Sequence, residues 1–162
     1  LETVDRLKSA HPDFTFTTDI IVGFPGETDY DFAETLDVMN EVAFAKVHMF
    51  PYSDRERTRA NLYPNKVPTD VIKQRKAALM QQAEAQSFRL REAYVGRRMW
   101  VLTESLDSQD PEWITGHTDN FLRVKLPAEG LEPNELVAVE LIENQPDGLL
   151  GRVCSACQEK AS

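Results

Sequence analysis

The apolar period of this chain changes once, near residue 95, and that change limits the folds open to it. Ahead of it, Phe14-Thr15-Phe16-Thr17-Thr18-Asp19-Ile20-Ile21-Val22-Gly23-Phe24 begins in alternation and ends in a β-branched apolar run stopped by Pro25-Gly26. That pattern predicts a strand buried on both faces. Thr28 is placed to cap a following helix, with Asp29 and Asp31 at its positive dipole end. Phe32, Leu36, Met39 and Ala43 recur at helical spacing and predict its buried stripe. A second strand follows at Ala45-Lys46-Val47-His48-Met49-Phe50-Pro51-Tyr52. Residues 14–52 therefore read as strand, helix, strand, a single βαβ unit. Residues 1–10 suit a helix closed by Pro12.

A polar connection with Pro64 and Pro68 occupies 53–68, and Thr69 is a candidate cap for a long helix to about Tyr94. Ile72, Leu79, Ala83, Leu90 and Tyr94 share one of its faces, and Gly96 is placed to end it in a left-handed conformation. From Arg97 the period is two. Strands are predicted at 97–103, 113–117, 120–126, 135–143 and 148–154, separated by Asp119-Asn120, by Pro127 with Gly130, and by Pro146-Asp147-Gly148. Five short antiparallel strands suit a small closed barrel of the OB-like kind. The fold class is thus α/β followed by all-β.

The first part cannot close on itself. A parallel βα barrel needs eight strands and typically about 250 residues, and residues 1–68 hold two strands. A parallel pair alone leaves edges and apolar faces uncovered. Since the chain starts at Leu1 without Met, we expect a piece of a larger barrel. A dimer or strand exchange through the open edges is the alternative cover.

Composition narrows the function classes. The 162 residues carry a net charge of −9, no run approaches the roughly 18 apolar residues of a membrane span, and no basic-then-apolar leader opens the chain. Two cysteines, Cys154 and Cys157, exclude a disulfide-dense scaffold and fit a reducing cytoplasm. Charge is segregated: −5 over 1–68, +2 over 69–93 and −6 over 94–157. The acidic total argues against a strong nucleic-acid binder, since phosphate contacts need Lys and Arg, yet the helix between the acidic segments is basic.

Gly23-Phe24-Pro25-Gly26-Glu27-Thr28 stands where a strand turns into a helix, the usual ligand end of a βα unit. Spacing alone fits either a tight turn or a ligand cradle. No Gly-Lys-Ser/Thr follows, so it is no nucleotide phosphate loop. Asp19 and Glu27 could form an acid/base pair, and strand-end hydrogen bonding with helix-dipole compensation is the simpler reading. His48, inside an apolar strand, reads as a core or pocket residue. Cys154-Ser155-Ala156-Cys157 offers two thiolates where a zinc site wants four ligands and a four-iron cluster three or four, so no metal site is expected.

The segment Asp19–Thr28 resembles the fifth-strand segment of radical S-adenosylmethionine enzymes, particularly the methylthiotransferases. Val47-His48-Met49-Phe50-Pro51-Tyr52-Ser53 is similar to the family's sixth strand, and the likeness continues through Arg55, Thr58 and Ala60 to a terminal TRAM domain, spanning 13–153. The resemblance implies a division into 1–68 (end of a radical S-adenosylmethionine barrel), 69–95 (linker helix), 96–157 (RNA-binding TRAM barrel) and 158–162 (tail). It implies that Ile21, Gly23, Phe50 and Tyr52 meet the nucleoside of S-adenosylmethionine, and that two 4Fe-4S clusters serve the parent protein. There, a radical formed from S-adenosylmethionine would abstract hydrogen from an adenine carbon before a methylthio group is installed. Gly116–Val124 looks most like the branch that modifies N6-threonylcarbamoyladenosine beside the tRNA anticodon, so tRNA is the implied partner. Phe121 would offer a stacking face while Arg123 and Lys125 meet phosphates.

Two departures stand out. The family has Gly after the sixth strand where this chain reads Arg57-Thr58-Arg59, so Arg57 is strained if the backbone there needs positive φ. The Cys-x-x-x-Cys-x-x-Cys cluster segment is absent from these residues, and the chain is expected to be inactive alone. A stand-alone RNA-binding module and a modifier of a ribosomal protein are the competing readings.

Overall fold

The structure, a computed structural model, describes residues 1–154. These fall into two compact units, residues 1–12 with 16–87, and residues 13–15 with those from 88 onward.

In the first unit, helix α1 (Glu2–Ala10) precedes strand β1 (Thr17–Val22), helix α2 (Asp29–Val42), strand β2 (Lys46–Pro51), a 3-10 turn (Arg59–Leu62) and the start of helix α3 (Thr69–Glu92). β1 and β2 pair in parallel, with Ile21 opposite Phe50 and Val22 opposite Pro51. The predicted Thr28 cap forms a full capping box: its hydroxyl accepts from the Asp31 N–H while Asp31 accepts from the Thr28 N–H. Val22, Met39, Leu79 and Ala83 form the core, with Ile20, Phe32, Leu36, Val47, Met49 and Ile72 packed around it.

Three expectations are corrected here. β1 is buried on one face only. Ile20 and Val22 pack inward, whereas Ile21 is 55% exposed and its partner Phe50 51%, because both helices cover the same side of the pair. His48 lies on that open side and is exposed. Ala43 ends α2 in a left-handed conformation, φ 56°, its N–H donating to the Met39 carbonyl, so Val42 fills the stripe instead.

The second unit is a closed barrel of β3 (Arg98–Leu106), β4 (Trp113–Thr118), β5 (Arg123–Pro127), β6 (Leu136–Gln145) and β7 (Gly148–Val153), in the order β3-β4-β5-β7-β6, with β6 pairing back to β3. The order is that of an OB-like barrel. One pair departs from the antiparallel expectation: β5 and β7 run parallel. The 128–135 connection carries the chain across to β3, and the β6–β7 hairpin then brings β7 back alongside β5. Val101, Ile114, Val124, Leu126, Val139, Leu141 and Leu149 fill the interior. A Cβ on Gly151 would stand 2.4 Å from Val139 and 2.8 Å from Leu126, so this position admits no side chain. α3 ends at Glu92, short of Tyr94, and Gly96 (φ 85°) donates its N–H to Leu141 of β6 at 2.7 Å. That glycine joins the barrel rather than capping the helix.

Candidate functional site

At the C-terminal ends of β1 and β2 the open face of the sheet floors a cavity of about 420 Å³. Asp19, Ile21, Phe24, Phe50, Tyr52, Arg55, Thr58 and Ala60 are among its lining residues. Period-two geometry explains the convergence: Ile21 and Phe50 are register partners on the unpacked side, and Tyr52 extends the pairing by donating its N–H to the Val22 carbonyl at 2.8 Å. Three of the four nucleoside residues expected from the sequence thus meet in one place. Gly23 does not line it. With φ at 78° it forms the turn beneath, and a Cβ there would stand 2.4 Å from Ile72 of α3.

An aromatic wall closes one side. The Phe24 ring meets Tyr52 edge-on at 5.3 Å and Tyr63 at 6.1 Å. The Tyr52 hydroxyl donates to Asp54 at 3.1 Å, and Lys66 pairs with the other oxygen of Asp54 at 2.5 Å. Desolvation, then the bond to Asp54, pushes the Tyr52 phenol up, while Lys66 holds the Asp54 carboxyl below its usual range. Tyr63 and Lys66 escaped the sequence reading, and Phe24 entered it only as part of the Gly23–Thr28 turn, without the wall it forms. Such a cavity offers flat apolar surface with a polar rim, the chemistry that holds a nucleoside base.

Asp19 and Glu27 do not make an acid/base pair. Glu27 accepts the Gly23 N–H at 2.7 Å and pairs with Arg75 at 2.6 Å, so both carboxylate oxygens are committed. For Glu27 the hydrogen-bonding reading describes the geometry, while Asp19 lines the cavity.

On the barrel, Arg123 and Lys125 share the outer face of β5 opposite His117 and Thr115 of β4. Phe121 is not on that strand. β5 starts at Arg123, and Phe121, 75% exposed, occupies the preceding turn at φ 62° with its N–H bonded to the Thr118 carbonyl. The turn is held by Thr118, whose hydroxyl accepts the Leu122 N–H and donates to Asn120, and the Asn120 amide donates to the Asp13 carbonyl. Arg123 lies 3.8 Å from Asp147, both largely exposed. Lys125 is more tightly engaged, 3.2 Å from Asp107 and 5.2 Å from the Trp113 ring centroid. Backbone N–H donation from Gln109, then Lys125, holds the Asp107 carboxyl below its usual range.

No group of three or more His, Cys, Asp or Glu capable of holding a metal occurs among the described residues. Cys154 is a free thiol, and Cys157 lies outside those residues. No helix among the described residues is long and apolar enough to cross a membrane.

No family model matches the chain. It is 38% identical over 154 residues to the threonylcarbamoyladenosine tRNA methylthiotransferase MtaB of Chlamydia pneumoniae, covering 94% of this chain and 36% of that protein. It is 35% identical to the tRNA-2-methylthio-N(6)-dimethylallyladenosine synthase of Finegoldia magna, covering 94% and 33%. The synthase of the same name from Acidothermus cellulolyticus is 38% identical, covering 93% and 31%. The chain spans about a third of the length of these relatives.

Proposed function

The chain is homologous to the methylthiotransferases over 94% of its length, and from that premise we propose that it is a segment of a tRNA-modifying radical S-adenosylmethionine enzyme. In this reading residues 1–68 are the end of a larger βα barrel, 69–95 a linker helix, 96–157 a TRAM-type RNA-binding barrel and 158–162 a tail. The observation that carries it is the cavity. Ile21, Phe50, Tyr52, Arg55, Thr58 and Ala60, all within the segments that resemble the family, line one apolar, ring-walled space.

The nucleoside of S-adenosylmethionine suits this space, with Ile21 and Phe50 as floor, Phe24 and Tyr52 as wall, and the Tyr52–Asp54–Lys66 chain as polar rim. The iron–sulfur clusters do not suit this chain, because two cysteines cannot supply three thiolates. The clusters and S-adenosylmethionine would supply radical chemistry in the complete protein, and these residues bind and orient the nucleoside. The isolated chain is inactive in this reading.

The substrate is tRNA, engaged at the anticodon stem-loop in the cytoplasm by Phe121 and Arg123, with Lys125 joining once its pair with Asp107 opens. N6-threonylcarbamoyladenosine is the favoured nucleoside on the Gly116–Val124 resemblance. Dimethylallyladenosine is the second reading, since a synthase of that name matches at the same 38% identity.

Calorimetric titration with S-adenosylhomocysteine tests the cavity. The wild-type chain binds and Ile21→Glu, an exposed position where the fold tolerates charge, does not. A chain that binds anticodon stem-loop RNA yet ignores the nucleoside in wild-type form would instead be a stand-alone RNA-binding module.

A further inference from the structure

We propose that Arg75, on α3, is a positioning residue that sets the Gly23–Thr28 turn and through it the wall of the cavity; this rests on the cavity's reading as a nucleoside site. Arg75 is 7% exposed, whereas Lys73 and Arg89 of the same helix face solvent. Its guanidinium donates to the Glu27 carboxylate at 2.6 Å, to the Glu27 carbonyl at 3.2 Å and to Asp29 at 2.6 Å, and its centre stands 5.4 Å from the Phe32 ring centroid. The other Glu27 oxygen accepts the Gly23 N–H. One buried fork therefore fixes a carboxylate that in turn fixes the residue at φ 78°.

A single turn earlier, Ile72 covers the Cα of Gly23, so the same helix face holds the turn by packing and by charge. Elsewhere the turn is held by the Gly26 N–H to Asn65, the Glu27 N–H to Phe24 and, at its far end, the Thr28 capping box with Asp31. Phe24, which follows Gly23 directly, is the cavity's aromatic wall. When Glu27 swings away, Gly23 loses its acceptor, and the ring beside it loses its fixed angle to Tyr52.

The test compares Arg75→Met, Arg75→Lys and Glu27→Gln with wild type, in the 162-residue chain. Calorimetry with S-adenosylhomocysteine is paired with amide proton–nitrogen spectra and thermal unfolding. Arg75→Met is expected to weaken binding about tenfold, to move the Gly23 and Gly26 amide resonances, and to leave those of Val101, Leu126 and Leu141 in place. Arg75→Lys, which keeps a charge but not the fork, recovers part of the affinity, and Glu27→Gln matches Arg75→Met. Leu79→Val in the same core serves as control: it lowers the unfolding temperature and keeps wild-type affinity. Wild-type affinity with unmoved Gly23 and Gly26 resonances in Arg75→Met overturns the proposal. If the wild-type chain itself binds no nucleoside, the cavity reading fails, and the Gly23 and Gly26 resonances still decide whether Arg75 holds the turn.

Discussion

Arg57 stands at φ 70°, a left-handed conformation that disfavours an L-residue by about 1–2 kcal/mol. Glycine relieves that strain but adds freedom to the unfolded chain, so Arg57→Gly should stabilise the protein by about 1 kcal/mol net. Urea denaturation reads this as a higher midpoint at unchanged slope. Phe121 shares the conformation, at φ 62°, with a different reason to keep its side chain. Phe121→Gly should raise the midpoint similarly while weakening anticodon stem-loop RNA about tenfold or more, since base–aromatic stacking is worth about 1–3 kcal/mol. Unchanged RNA affinity in that variant would remove Phe121 from the interface. The Arg57 strain was legible beforehand, because a family glycine marks a backbone need. Arg75 was not: its partners lie 46 and 48 residues away, and on a basic helix a buried arginine looks like its solvated neighbours until the packing is known.

The N-terminus of α2 carries a pH dependence of its own. Thr28 donates to Asp31 from its backbone N–H and from its hydroxyl, and these bonds, backbone first, hold the Asp31 carboxyl below its usual range. A carboxyl depressed in the folded state stabilises it fully above the unfolded value of 3.8, and that contribution is lost as the pH falls through the folded pKa. The stability gap between wild type and Asp31→Asn should therefore be widest near neutrality and narrow below about pH 4, measured by urea titrations across that range. A constant gap would mean the bond is not charge-assisted. Capping chemistry and strand order along the chain were readable from residues such as Thr28 and Val22. The one-sided burial of β1 was not, because an apolar run such as Ile20-Ile21-Val22 looks the same whether its second face meets a helix or a cavity. The start of β5 was missed because Phe121-Leu122 continues the alternation while Thr118 and Asn120 fold it into a turn.

At the scale of the whole molecule, charge decides what the barrel can hold. Its residues are net acidic, so the proposed RNA binding rests on a few cations whose engagement differs. Arg123 is 46% exposed with a loose partner at 3.8 Å, whereas Lys125 is 28% exposed and closely paired. Arg123→Ala should lower the slope of log affinity against log salt by about 0.7–0.9, one phosphate contact. Lys125→Ala should change that slope less and lower thermal stability more, since Asp107 and Trp113 lose their partner. Equal slopes for both variants and wild type would place the RNA elsewhere.

The ring of strands from β3 round to β6 also separates the two units in time. Every barrel strand has a neighbour on both sides, so the ring offers no free strand edge along which its central amides can reach deuterium. Exchange at Val124 or Leu141 must wait for the ring to break as a whole, whereas the two-stranded sheet of β1 and β2, open at its margins, exchanges through local excursions. One sample should therefore show two clocks.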